Sequence, residues 1–152
     1  MSLVQGRAAS AIHRLWHQER DEVAQVATRV SLVASGVTNL SAALVGGRAR
    51  GLLELLEHEV LPYLDWEETI VHPVLDRLDP TSRAGRVLHA HLQQVRAAIG
   101  LVQDDWAGLR GAPTPRQLVD LRTHLRRLGV IMAAHLEQEE RALAPVLAVA
   151  RA

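Results

Sequence analysis

Apolar residues recur at helical spacing along four long stretches of the sequence, and this pattern limits the fold more than any other feature. In the first stretch, Ile12, Val23 and Val30 fall on one side of a helix that advances about 100° per residue. No stretch has the strict alternation of a strand. A helix with one apolar side must bury that side against a neighbour, and four such helices can bury all of their apolar sides together in a bundle.

Glycine and proline divide the sequence into these four stretches. The stretches run over residues 8–35, 48–78, 82–109 and 115–149. The connections between them are short, which makes neighbouring helices antiparallel. The sequence therefore predicts an all-α fold, an antiparallel four-helix bundle of up-down-up-down topology, with residues 1–152 as a single domain.

Turn and cap residues lie at the boundaries of the stretches. Gly36 is a stop signal for the first helix, and a looser segment follows it. Thr81, in an Asp-Pro-Thr turn, and Thr114 are placed to cap the third and fourth helices. Two prolines inside the second stretch, Pro62 and Pro73, remove backbone donors, so we expect each to kink or interrupt that helix.

The composition argues against several functional classes. All 17 basic residues are arginine, 17 acidic residues balance them, and no basic block suggests nucleic acid or a membrane surface. No apolar run is long enough to span a membrane, and residues 1–7 lack the apolar core of a secretory signal. The absence of cysteine excludes disulfides and thiolate chemistry, and it favours the cytoplasm. Eight histidines in a cysteine-free chain are the unusual count.

Charged residues on the apolar faces are the candidates for chemistry, because an unpaired buried carboxylate is very costly. In the fourth stretch, His135 and Glu139 are four residues apart and lie within about 20° of the centre of the apolar face. In the second stretch, Glu67 lies beside the apolar face and Tyr63 lies on its flank. In the third stretch, His91 falls near the edge of the face. Because His135 and Glu139 are four residues apart on one face, both of their side chains can reach one ion.

The first stretch carries Glu19 at the centre of its apolar face, whereas His13 lies off the face and His17 lies nearly opposite. Each of the four faces thus carries at least one histidine or glutamate. Several such groups converging on one core suggest a cation, and carboxylate and imidazole without thiolate suit iron, manganese or zinc. Helix bundles that place Glu and His on facing helices are a recurrent di-metal architecture.

The same residues also have a purely structural interpretation. Each Glu-Glu pair, at 67–68 and at 139–140, could be the solvated face of an acidic helix, and His135 could be a hydrogen-bonded core histidine. The histidines expected at the surface are His13, His17, His58 and His89. The residues expected to serve packing are His124, Trp16, Trp66 and Trp106. The role of His72 stays open.

Two segments resemble the hemerythrin-like (HHE) family. Residues 134–147, which read AHLEQEERALAPVL, are similar to the last helix of that family, and residues 61–73 are similar to its second helix. The segments around His91 and residues 15–19 resemble its third and first helices more loosely. The resemblance implies a non-haem di-iron site with histidines from all four helices and bridging carboxylates from the second and fourth. Carried over by position, it implies His135, Glu139, Glu67 and His91 as ligands.

This chain departs from the family pattern at two positions. Tyr63 stands where the second helix should carry histidine, and Glu19 stands where the first-helix ligand aligns, with His13 or His17 as the alternative. Glu19 can ligate a hard cation, and Tyr63 can ligate ferric iron as a phenolate. The sequence therefore leaves open a site with two irons, with one or with none.

The inward residues and the resemblance together predict a non-haem iron protein that binds or senses a small oxidant such as O2, peroxide or nitric oxide. Its ligands would leave an open coordination position, and the apolar shell would control access. A metal-free bundle acting as a regulatory or interaction module is the alternative. An enzyme that decomposes peroxide at a di-iron centre is a third reading. The oligomeric state is left open, a homodimer included.

Overall fold

The described residues form four long helices and no strand. A computed structural model describes residues 3–37, 42–78 and 83–149. Helix α1 spans Leu3–Gly36, α2 spans residues 42–78, α3 spans Ala84–Gly108 and α4 spans Pro115–Val149. The all-α bundle predicted from the apolar faces is therefore confirmed.

The boundary signals of the sequence can be checked at two of the helix ends. Helix α1 ends at Gly36, as predicted. Helix α4 begins with a capping box, in which Thr114 Oγ1 accepts a hydrogen bond from the Gln117 backbone N–H at 3.2 Å. The Gln117 side-chain oxygen accepts one from the Thr114 N–H at 2.9 Å. The cap predicted at Thr114 is confirmed, whereas the turn predicted at residues 79–81, with its Thr81 cap, lies outside the described residues.

Helix α2 continues past both of its prolines, where the sequence predicted kinks or interruptions. It contains two π-helical turns, Leu56–Val60 and Glu67–Val71, and each ends two residues before a proline. In the second of these turns the His72 backbone N–H bonds to the Glu67 carbonyl, five residues back. A wider turn makes room for a proline ring, whose nitrogen has no hydrogen to donate. The prolines therefore change the register of α2 without ending it.

The helices are arranged as a ring around one apolar interior. Helix α4 packs along α1 and α3, and α2 packs against the same two helices. Helices α2 and α4 therefore lie across the diagonal of the bundle and approach each other mainly through residues 72–78 of α2. Leu, Val, Ala and Ile side chains fill most of the interior. Crossing a membrane takes a long apolar helix, and the described part of the chain offers none.

We expect Leu125→Ala to destabilise the protein by about 2–5 kcal/mol, because truncating a buried leucine loses transfer free energy and leaves a cavity. Leu125 is 0 % exposed in the main core cluster, whereas Leu32 is 65 % exposed. Leu32→Ala is therefore the matched control, with an expected change of about 0.5 kcal/mol or less. Urea unfolding of the two variants measures the difference. Equal losses would contradict this assignment of the core.

Candidate metal centre

Three titratable side chains meet in the core between α2 and α4, namely Glu67, His135 and Glu139. Glu67 and Glu139 are 0 % exposed and His135 is 2 % exposed. One ligand atom of each residue lies within 4.8 Å of those of the other two. The structure thus brings together the three residues that the inward-face argument selected on the second and fourth helices.

Helix geometry explains how α4 contributes two of the three groups. His135 and Glu139 are four residues apart, so their side chains lie one above the other on the same face. Met132, Leu136 and Leu143, on the same helix, are buried as well. The apolar residues that fix this face against the core therefore also fix the direction of the imidazole and the carboxylate.

The hydrogen bonds of the cluster use only part of its capacity. His135 Nε2 lies 2.8 Å from Glu67 Oε2. Two donors converge on one oxygen of the other carboxylate, because both the Tyr63 hydroxyl, at 2.5 Å, and the Trp16 indole N–H donate to Glu139 Oε1. Trp16 reaches this point from α1, and Tyr63 reaches it from α2.

Several buried polar atoms at the site have no hydrogen-bond partner. These atoms are Glu67 Oε1, Glu139 Oε2, His135 Nδ1 and His72 Nε2. Buried polar groups in proteins are nearly always partnered, so an unpartnered group needs an explanation. A proton shared between the two carboxyl groups, a bridging water or a cation could each join the two carboxylate oxygens. Carboxylate oxygens and imidazole nitrogens are the donors that non-haem iron takes, so the residues present fit that ion.

Burial controls the protonation of the two carboxyl groups. It raises the pKa of Glu67 to about 8, against the opposing effects of the adjacent Glu139 carboxyl group and of the Arg96 charge. It also raises the pKa of Glu139 to about 8, and the negative charge of Glu67 acts in the same direction. At neutral pH the metal-free site therefore retains protons that a cation would displace.

The two buried imidazoles and the phenol stay neutral for the same reason. Burial lowers the pKa of His135, and it lowers the pKa of His72 to about 4, with the charges of His135 and His89 acting in the same direction. Burial, followed by the charges of Glu139 and Glu67, raises the pKa of Tyr63 well above its ordinary value. At neutral pH both imidazoles therefore keep a lone pair, and Tyr63 keeps the proton that it donates to Glu139.

His72, whose role is open from the sequence, is buried near the cluster in the structure. His72 is 6 % exposed, and its charge would interact with that of His135. Residues five apart on a regular α-helix point about 140° apart, so a regular helix would not place Glu67 and His72 on the same face. The π-helical turn between them brings residues five apart nearly above one another. The two prolines of α2 were the sequence signal that its angles would depart from those of a regular helix.

The residues selected on the first and third helices lie elsewhere. Glu19 is half-buried in the wall of a surface cavity of about 150 Å³, which Tyr63 and Trp66 also line. His91 is half-buried on α3 and does not belong to the cluster. Among the described side chains of α1, Trp16 donates a hydrogen bond to the site, and it lies three positions before Glu19 and thus about 60° away around the helix. From the sequence, Trp16 was expected only to serve packing.

The remaining histidines lie mainly outside the core, as predicted. His17, His58 and His89 are exposed, and His13 is half-buried with its ring against those of Trp16 and His17. His124 is half-buried, and its Nδ1 lies 2.5 Å from Asp105 Oδ2 at a distance from the cluster. This contact with Asp105 gives His124 a polar partner on α3.

A four-helix bundle with carboxylates and imidazoles converging from facing helices belongs to the class of cation-binding bundles. The chain is a member of the hemerythrin family, because the profile of the hemerythrin HHE cation binding domain matches residues 10–148. This confirms the family that the sequence resemblance implied. No curated protein and no solved structure matches the chain significantly.

Proposed function

We propose that this protein binds iron between α2 and α4, and that through the iron it binds or senses a small oxidant such as O2, peroxide or nitric oxide. One observation carries the proposal. Glu67, His135 and Glu139 are fully or almost fully buried, lie within ligand distance of one another and each keep an atom without a partner. Carboxylate and imidazole ligands without thiolate suit non-haem iron.

The buried side chains of the site would divide the work of holding the iron. Glu67 and Glu139 supply the negative charge, and His135 supplies a neutral nitrogen. Tyr63 and Trp16 hold the Glu139 carboxylate in place by donating to its Oε1. Such outer contacts orient metal ligands and tune the ion that they hold. Bound iron would supply a redox-active centre with a coordination position open to the oxidant.

The surroundings of Tyr63 favour a small ligand. The cavity of about 150 Å³ beside α2 has Tyr63 in its wall, and the Tyr63 hydroxyl contacts Glu139 on the inner side. A cavity of this size accommodates a few water-sized molecules, which fits a diatomic gas or a peroxide. The buried Leu, Val and Trp side chains around the cluster keep bulk water away from it. Since the chain has no cysteine, we also propose the cytoplasm as its compartment.

Anaerobic addition of Fe²⁺ to metal-free protein tests the proposal. A ligand that binds only the folded state raises its stability, so Fe²⁺ at a hundredfold excess over its dissociation constant should raise the melting temperature by about 5–10 °C. Metal analysis should find iron after gel filtration, and a chelator should reverse the shift. Exposure to O2, peroxide or nitric oxide should then change the visible absorption spectrum.

Two results would count against the proposal. Zero iron after gel filtration, together with a melting temperature unaffected by Fe²⁺ and chelator, would replace it with the metal-free regulatory or interaction module. Rapid peroxide turnover by the iron-loaded protein would instead favour the peroxide-decomposing enzyme over a binding or sensing protein.

A further inference from the structure

We infer that this core holds a single cation, in place of the metal pair that the family resemblance implied. The inference rests on the proposed function, because it concerns how many ions the same ligands bind. The observation behind it is the double hydrogen bond at Glu139. Two protein donors, from Trp16 and Tyr63, occupy the oxygen that a second ion would need.

In its usual bridging mode a carboxylate offers one oxygen to each of two ions. Glu139 Oε1 already accepts from the Trp16 indole and from the Tyr63 hydroxyl, whereas Oε2 has no donor. An indole N–H is a donor without an acceptor lone pair, so Trp16 cannot become a ligand. Both hydrogens also direct partial positive charge into the space beside Oε1, where a cation would be repelled. Glu139 therefore has one oxygen for a metal, not two.

Helix α1 supports the same conclusion. A site for two ions draws a ligand from the first helix in the family pattern, yet here the described side chain of α1 that reaches the cluster is Trp16. Trp16 is fully buried, and Glu19 lies in the wall of the surface cavity. On the side of the site nearest α1, the Trp16 indole thus takes the place that a ligand would need, and it donates a hydrogen bond to Glu139.

The remaining donors match what one ion needs. The atoms without partners come from two histidines and two glutamates, namely His72, His135, Glu67 and Glu139. Glu67, His135 and Glu139 lie within ligand distance of one another, and His72, which is outside that group, is the further buried imidazole that would complete the set. Imidazole and carboxylate donors are the types that hold mononuclear non-haem Fe²⁺ with positions left open. Glu67 and Glu139 are also the buried acidic residues among those described, and together they neutralise one divalent ion. Two divalent ions would leave excess positive charge in an apolar core, which is costly.

The number of ions bound by the wild-type protein is the primary test. Anaerobic titration with Fe²⁺, with metal analysis after gel filtration, should saturate at one equivalent. Titration with Mn²⁺ should give the electron paramagnetic resonance signal of an isolated ion, without the exchange coupling of a pair. Two equivalents with an exchange-coupled signal would overturn the inference and leave the proposed function intact. Zero equivalents would overturn the proposed function itself.

Variants of the two donors test the cause. Tyr63→Phe should still bind one equivalent, and its ferric form should have the same visible spectrum as wild type, because the hydroxyl is a donor to Glu139. Loss of a phenolate-to-iron absorption band in Tyr63→Phe would overturn that role. The double substitution Trp16→His with Tyr63→His replaces both donors with imidazoles, so saturation should rise to two equivalents. If the folded double variant still bound only one equivalent of Fe²⁺, the role given to the Trp16 and Tyr63 donors would be overturned.

His72 is tested against the exposed histidine next to it in space. His72→Ala should weaken Fe²⁺ binding about tenfold or more while the titration still saturates at one equivalent. His89→Ala is the matched control, since His89 is exposed and its ring centre lies 6.5 Å from that of His72. Its affinity for Fe²⁺ should stay within about twofold of wild type, by the small effect expected of surface substitutions. Equal affinities in the two variants would remove His72 from the ligand set.

Discussion

Replacing His135 with alanine should abolish iron binding and with it the thermal stabilisation by iron. His135 is the imidazole of the buried three-residue cluster, and its Nε2 lies 2.8 Å from Glu67 Oε2. Loss of a direct ligand should lower the affinity for Fe²⁺ by at least about a hundredfold, beyond the loss seen for outer contacts. The rise in melting temperature of about 5–10 °C that we expect for wild type should therefore disappear.

The metal-free form of the same variant separates a ligand from a packing residue. Without iron, His135→Ala leaves Glu67 buried without its imidazole, at a cost of about 1–3 kcal/mol. His58→Ala removes an exposed histidine and should change neither iron content nor stability measurably. Differential scanning calorimetry with and without Fe²⁺ measures both effects. If His135→Ala bound as much iron as His58→Ala, His135 would have to be regarded as a structural histidine.

Replacing Glu67 with glutamine should stabilise the metal-free protein at alkaline pH and prevent iron binding. The pKa of this carboxyl is about 8 in the folded chain, against an ordinary value of 4.5. The folded state therefore holds the proton more tightly than the unfolded chain does. The resulting stability is complete below about pH 4.5 and is lost as the pH rises through about 8. Glu139, with a pKa also near 8, adds to the same loss.

Metal-free wild type should thus lose on the order of several kcal/mol between pH 5 and pH 9, and Glu67→Gln should lose clearly less. Iron binding should have the opposite dependence in wild type, because the ion displaces protons and binds more tightly as the pH rises. Glu59→Gln, at an exposed position of the same helix, is the control and should behave as wild type. Urea unfolding at several pH values gives the curves. Parallel curves for wild type and Glu67→Gln would refute the buried protonated carboxyl.

The fold could be predicted from the sequence because its determinants are local and repeated. Apolar faces set the helices, and Gly36 and Thr114 marked two of the boundaries that the structure describes. On α4 the same periodicity gave His135 and Glu139, since nothing interrupts a regular α-helix between them. A helical wheel is therefore reliable wherever the hydrogen bonding stays regular.

The rest of the site depends on features that a wheel cannot represent. His72 turns inward because a π-helical turn shifts the register of α2 after Glu67, and a fixed angle per residue misses that shift. Trp16 looked like packing because an indole is apolar over most of its surface. The role of its N–H depends on a hydrogen bond to Glu139, which lies 123 residues further along the chain. Long-range hydrogen bonds of this kind have no signature in the spacing of residues.

The diagonal position of the cluster gives the proposed ion a mechanical role. Neighbouring helices of the ring are held together along their lengths by side-chain packing, whereas α2 and α4 face each other across the centre. The contact of Glu67 with His135 joins this opposite pair, and an ion between them would act as a brace that limits breathing of the bundle along one axis. Loading and release of the ion would then set how readily the centre opens. The distance between α2 and α4, as well as the visible absorption spectrum, would then depend on whether the ion is bound.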